Sequence, residues 1–268
     1  MTAMAPDTLF WFGLVLKMAM TAVIVVAASV IVERTGPFIG ALIAALPTAA
    51  GAVYIILAVE HSPSFIAASA VGTAAANSAV CVFALTYAVL AQRRSMPVSV
   101  IGAFLVWFIA AALLQFVVWT PLTVVLLNAV VSTVTIIAGT RFRAEAPAQK
   151  VRATAADIAW RAFIVALCVA IVTTASYRIG SFASGVFAVF PVAMGSFFVI
   201  LHPRVGGPVA ASVAAHVQAP LIGLGLGFLA VHYLAEPIGV WWSYAVGLSI
   251  GFGWNTLLWM LRQRRRKV

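Results

Sequence analysis

The chain has 268 residues, of which 64% are hydrophobic and 8% are charged, and its mean hydropathy is +1.13. Such a composition supplies too little polar surface to cover a water-soluble globule, so it excludes a soluble domain and predicts a polytopic membrane protein. The formal net charge is +10. Because the basic residues lie in short loops between apolar segments, membrane orientation explains them better than nucleic-acid binding does, and we expect no nucleic-acid partner.

Nine apolar segments are long enough to span a bilayer. The first has no basic stretch before it and is about as long as a bilayer is thick, so we expect a retained span rather than a signal peptide. A run of roughly 40 apolar residues around Trp119, Thr120 and Pro121 must turn back, because one helix of that length is about twice the bilayer thickness. The predicted spans are residues 9–32, 38–59, 64–91, 98–118, 121–139, 160–177, 183–201, 208–233 and 239–261.

The positions of the basic residues predict the orientation of these spans. If the basic C-terminus is cytoplasmic, nine spans place 14 of the 16 Lys and Arg residues on that side. Arg178 alone falls outside, and Lys17 lies within the first span. An eight-span arrangement scatters the charges over both faces, so we expect nine spans, an external N-terminus and a cytoplasmic C-terminus.

Residues 34–57 and 178–201 repeat one another at an offset of 144 positions. Nine of the 24 positions are identical, where so biased a composition gives roughly two by chance. Because an odd number of spans separates the copies, they are predicted to lie antiparallel in the membrane. The same offset pairs Lys17 with Arg161. The identical positions include Arg34 with Arg178, Gly36 with Gly180, Pro47 with Pro191, and Gly51 with Gly195.

The predicted fold is therefore all-α, a single membrane domain with a 4+1+4 inverted-topology repeat. Residues 1–120 form the first four-helix repeat, residues 121–159 a reversing helix and a basic cytoplasmic linker, and residues 160–268 the second repeat. Two copies of a four-helix unit need an odd reversing helix between them to lie antiparallel in one chain.

The residues also resemble a known family. Three features carry the resemblance, namely a Lys near the start of the first helix (Lys17), a short basic turn, and the pattern Gly-x-x-x-x-x-x-Pro that ends at Pro47. In these features the chain resembles the small four-helix GlpM-type inner-membrane proteins. Each half of the chain resembles one such protein, and the resemblance covers about four fifths of the chain. The resemblance implies a bacterial inner (cytoplasmic) membrane and no catalytic residues. The chain departs from the family in being a fusion with an added fifth helix.

Two prolines are predicted to break the second and seventh helices near the middle of the bilayer. A proline inside a helix removes a backbone hydrogen bond and leaves polar groups that lipid cannot satisfy. Inverted repeats with broken helices that meet at mid-membrane are typical of alternating-access carriers; the alternative is that both prolines are packing kinks. The predicted substrate-binding residues at this crossing are Pro47, Thr48, Gly51, Pro191, Gly195 and Ser196.

The charged residues favour a neutral or anionic solute. No predicted span carries Asp or Glu away from its ends, which argues against a proton-coupled exporter of cationic drugs. Lys17, Arg34 and Arg178 are candidates for gating or anion recognition; snorkelling from the first span is the alternative for Lys17, and an orientation charge is the alternative for Arg34.

Three polar residues inside other spans are further candidates. His216 is the histidine that lies well inside a span, so it is a candidate for proton coupling, and a neutral histidine bonded to a neighbouring helix is the alternative. Gln218 follows it, and Asn77 lies at a similar depth in the third span. Both are predicted to contact the solute, with an interhelical hydrogen bond as the alternative.

No catalytic or metal-binding motif is present in the sequence, so we expect neither an enzyme nor a cofactor. Gly247 and Gly251 are a candidate homodimer face, with packing within the chain as the favoured alternative. The leading hypothesis is a secondary transporter for a small neutral or anionic solute, or a lipid headgroup. The competing hypothesis is a non-transporting accessory subunit of an envelope-polysaccharide or lipid pathway.

Overall fold

The computed structural model describes residues 48–143 and 154–265, together with the single positions Val15 and Ala19. Most of the first predicted span, the second span up to Pro47, and residues 144–153 of the linker lie outside the described residues. Lys17 and Arg34 also lie outside them. The side chains of Thr48, Ala49, Arg161 and Arg265 are likewise not described.

All regular secondary structure in the described residues is helical, which confirms the all-α prediction. Within the part of the chain that the structure describes, five helical runs are long and apolar enough to cross a membrane: Pro63–Leu90, Met96–Leu114, Pro121–Phe142, Ala155–Val205 and Gly207–Leu234. The helices are α1 (Thr48–Glu60), α2 (Pro63–Leu90), α3 (Met96–Leu114), α4 (Pro121–Gly139), α5 (Ala155–Ala188), α6 (Val192–Val205), α7 (Gly207–Leu234) and α8 (Val240–Arg265). A short 3-10 turn, Thr140–Phe142, follows α4.

The helix starts follow ordinary capping rules. Helices α2, α3 and α4 each have Pro in the first turn, where its missing N–H costs no hydrogen bond. The long apolar run turns back where the sequence predicts it, because α3 ends at Leu114 and α4 begins at Pro121 with Thr120 as its N-cap. The indole N–H of Trp119 donates to the carbonyl of Leu114 at 2.8 Å, which closes the end of α3.

Helices α2 and α7 form the centre of the molecule and run antiparallel. His232 near the end of α7 bonds the carbonyl of Ala67 near the start of α2 at 2.8 Å, and Asn77 bonds the carbonyl of Leu221 halfway along. Both helices have 28 residues. α7 begins and ends 144 positions after α2, and α8 begins 144 positions after α3.

The other helices pack around this central pair. Helix α3 lies against α2, α8 lies against α7, and α4 contacts both central helices. Helix α5 packs against α2 and α1, and α6 contacts α3, α5 and α7. The interfaces are rich in Ala, Gly and Ser, which allow helix backbones to approach closely where lipid provides no hydrophobic driving force.

Candidate functional site

The helical run Ala155–Val205 is interrupted twice. Gly180 has φ of 79° and ψ of 173°, a left-handed conformation that favours glycine. The chain is helical again up to Ala188, leaves the helix at Val189, and resumes at Val192 after Pro191. The seventh predicted span is therefore discontinuous beside Pro191, and this proline is buried.

The short segment between these interruptions, residues 181–188, lies directly on α2. A Cβ on Gly72 would stand 2.2 Å from the carbonyl oxygen of Phe182, and one on Gly185 would stand 1.8 Å from that of Ser69. Only glycine fits at either position without displacing backbone. The segment is thus held against the first third of α2, at residues 69–73.

A hydrogen-bond chain links this segment to α1. The hydroxyl of Thr73 donates to the carbonyl of Gly185 at 2.7 Å, and the hydroxyl of Tyr54 lies 2.7 Å from the Thr73 oxygen. Thr73 therefore satisfies a carbonyl close to the end of the helical segment. α1 and the discontinuous span are coupled through α2.

After the interruption, α6 packs against a group of rings that we call the aromatic cluster. A Cβ on Gly195 would stand 2.5 Å from the ring of Phe104. The space beside this glycine is therefore occupied by the phenyl ring. The ring centroids of Trp107 and Phe190 are 4.9 Å apart. The hydroxyl of Ser196 donates to the carbonyl of Ala193 within α6. The aromatic cluster consists of Phe83, Phe104, Trp107, Phe190 and Phe198.

Asn77 and Gln218 lie about one helical turn apart on facing helices, in a second place that we call the amide junction and that also includes Asn128 of α4. The side-chain N–H groups of Asn77 donate to Asn128 Oδ1 at 2.9 Å and to the carbonyl of Leu221 at 3.0 Å. Gln218 Nε2 donates to the carbonyl of Cys81 at 3.0 Å. Asn128 was not predicted as a site residue, although an Asn among the apolar residues of a span can indicate such a junction.

Gly51 lies in a third place, a cavity of about 110 Å³ between α1, α7 and α8 that we call the glycine groove. At one end of the groove α7 and α8 are in close backbone contact, because a Cβ on Gly227 would stand 2.7 Å from the carbonyl oxygen of Gly247. Gly247 thus packs within the chain, while the homodimer stays a prediction. The glycines that line the groove are Gly51, Gly223, Gly227, Gly247 and Gly251.

The remaining predicted residues lie apart from these three places. Arg178 is exposed near the kink of α5. His216 is half-buried, and its Nδ1 bonds the carbonyl of Ser212 in its own helix at 2.7 Å. An ion pair that the sequence analysis missed joins Arg204 at the end of α6 to Asp157 at the start of α5. No group of three or more His, Cys, Asp or Glu suited to a metal occurs among residues 48–143 and 154–265.

The chain matches no protein-family model, no curated protein and no solved structure. The resemblance to the GlpM-type proteins therefore stays an expectation that rests on the residues quoted for it.

Proposed function

We propose that the protein is a secondary membrane transporter, an alternating-access carrier for a small neutral or anionic solute or a lipid headgroup. The observation that carries the proposal is the interruption beside Pro191, between two helical segments packed in the protein interior. Backbone groups freed at such a break must meet protein, water or ligand, because lipid cannot bond them. Carriers commonly build their substrate sites from helices of this kind.

The inverted repeat is part of the proposal, with nine spans and the second and seventh as counterparts. It is supported by the equal lengths of α2 and α7, their antiparallel contact, and the constant offset of 144 between their bounds. In this arrangement α4 is the unpaired helix, and its contacts with both central helices suit that position.

The two copies differ in what surrounds their matching glycines. Gly51 lines the glycine groove, and its counterpart Gly195 is packed against Phe104. A carrier needs one half open while the other is closed, so this difference favours transport over a purely structural role. We propose that solute reaches the centre of the molecule from the glycine groove.

A flux measurement tests the carrier. The purified protein is reconstituted in proteoliposomes and screened with neutral and anionic solutes, and the first solute with protein-dependent flux is used for the variants. Gly51→Leu places a side chain in the groove, where a Cβ at this position meets nothing within 4 Å, so the variant should fold and lose flux.

Gly253→Leu is the matched control, because Gly253 is exposed and its Cβ also meets nothing within 4 Å. It should keep wild-type flux. Equal flux in both variants contradicts a substrate path along the groove. No protein-dependent flux for any solute contradicts the carrier and favours the accessory subunit.

Cysteine labelling tests the orientation on which the repeat depends. Ser62 and Ser95 flank opposite ends of α2. With Cys81 and Cys168 replaced by Ala, Ser62→Cys should react with an impermeant reagent from outside and Ser95→Cys from the cytoplasm. Reaction of both from one face, or the reverse pattern, removes the inverted repeat.

A further inference from the structure

The amide junction lies near the middle of three apolar helices. Asn77 belongs to α2, Asn128 to α4 and Gln218 to α7, and none of these helices contains Asp, Glu, Lys or Arg. Asn77 and Gln218 are fully buried. Amide groups at this depth are retained only where they find partners, so their hydrogen bonds must be accounted for atom by atom.

The orientation of both buried amides follows from their neighbours. Asn77 faces two acceptors, Asn128 Oδ1 and the carbonyl of Leu221, so its nitrogen must point towards them. Gln218 faces the carbonyl of Cys81, so its nitrogen must point there. The two amide oxygens, Asn77 Oδ1 and Gln218 Oε1, then accept no hydrogen bond from any residue in the described part of the chain.

These two oxygens belong to adjacent turns of facing helices. Asn77 reaches Leu221 and Gln218 reaches Cys81, and on antiparallel helices these contacts are one turn apart. Gly225 keeps the junction clear of a side chain, since its Cβ would stand 3.1 Å from Asn77 Nδ2 and 3.6 Å from Asn128 Oδ1.

The same part of α7 is weakened by a proline. Pro220 lies inside α7 two residues after Gln218 and cannot donate the backbone hydrogen bond that an ordinary residue would. A helix that lacks this bond bends more easily at that turn. The junction can therefore open between α2 and α7 by a bend of α7 at this turn, where one backbone hydrogen bond is already absent.

We propose that the amide junction binds the transported solute, and that this solute is a neutral molecule with at least two N–H or O–H donors, such as a small amide or polyol. Two buried oxygens without a donor select hydrogen-bond donors. Neutral acceptors repel an anion, and the lack of carboxylates in the three helices leaves nothing to balance a cation. The inference rests on the proposed carrier and narrows its substrates to neutral donors.

Solute-driven reswelling of proteoliposomes tests the donor requirement on the unaltered protein. Vesicles are mixed with a hyperosmotic solution of acetamide, of N,N-dimethylacetamide, which lacks both N–H donors, or of sodium acetate. Light scattering then reports entry of each probe, with the rate in protein-free vesicles subtracted. We expect protein-dependent entry of acetamide at least about tenfold faster than that of the other two probes.

Gln218→Leu removes one of the two oxygens and should lower acetamide entry by about tenfold or more. Gln92→Leu is the matched control, because Gln92 makes the same type of bond, to the carbonyl of Ala88, outside the junction. It should leave entry unchanged. If Gln218→Leu does not fold, the comparison of the three probes on the unaltered protein still decides the question.

Equal protein-dependent rates for acetamide and N,N-dimethylacetamide overturn the inference, as does faster entry of acetate or wild-type acetamide entry in folded Gln218→Leu. In those cases the proposed carrier function is still supported if another solute shows protein-dependent flux that Gly51→Leu abolishes. Loss of all protein-dependent flux contradicts the carrier, so the two failures are distinguishable.

Discussion

The glycine groove and the aromatic cluster occupy corresponding places beside the two central helices, yet one is a cavity and the other is packed with rings. Helices α7 and α8 place glycine at positions where α2 and α3 place large aromatic residues 144 positions earlier. The same type of helix pair can thus enclose a cavity or be fully packed, because the volume of the side chains at the interface decides how much space remains. The glycine–aromatic pairs are Gly227 with Phe83 and Gly251 with Trp107. Leu248, which also lines the groove, corresponds to Phe104.

The largest effect is expected from opening the aromatic cluster. Trp107 is fully buried, and truncation of a buried Trp usually costs about 3–5 kcal/mol. Trp107→Ala should therefore lower the unfolding temperature of the protein in detergent strongly. Phe252→Ala, at an exposed residue of the groove, is the control and should change it little. Similar shifts for the two variants would show that the cluster is not the more tightly packed region.

A smaller effect, on flux rather than stability, is expected from closing the groove. Gly251→Trp places in α8 the residue that α3 has at the corresponding position, and a Cβ on Gly251 has no neighbour closer than 3.9 Å. Solute flux in proteoliposomes should fall at least about tenfold, a change of about 1.4 kcal/mol. Gly253→Trp on the exposed side of α8 serves as the control. Unchanged flux in folded Gly251→Trp would show that the glycine groove is not part of the solute path.

The smallest effect concerns the amide junction, whose three amide side chains belong to neither region. A double-mutant cycle of Asn77→Ala and Asn128→Ala measures the coupling between the two amides, whose N···O distance is 2.9 Å. Polar pairs between membrane helices couple by about 0.6 kcal/mol on average and by at most about 1.7 kcal/mol. We expect a value in that range from unfolding in detergent. Additive effects of the two substitutions would mean that this hydrogen bond does not stabilise the fold.

Several elements of the fold could be predicted from single residues. Pro121 after Trp119 and Thr120 marked the turn between α3 and α4, and Pro191 marked the interruption before α6. Both predictions rest on the missing backbone N–H of proline, although this loss does not interrupt every helix, since Pro220 lies inside α7. By contrast, residues 178–182 separate two predicted spans, and the structure carries the helical run through them with a kink at Gly180.

The grouping of the candidate residues could not be predicted in the same way. Gly51, Asn77, Gly195 and Gln218 are predicted to contact one solute, whereas the structure distributes them among the groove, the amide junction and the aromatic cluster. A helix that is apolar on every side has no stripe that tells which face meets which neighbour. Asn128 was missed for this reason, since its role depends on the helices that α4 touches.

Composition and proline positions determined that this chain is an all-helical protein with helices suited to a membrane, and where two of those helices turn or break. These properties depend on local chemistry, namely the cost of exposing apolar surface and of losing backbone hydrogen bonds. The tertiary structure alone decided which glycines border a cavity, which are packed against rings, and which amide oxygens have no donor. Those outcomes depend on side chains from separate helices meeting in space, and no local pattern of residues specifies them.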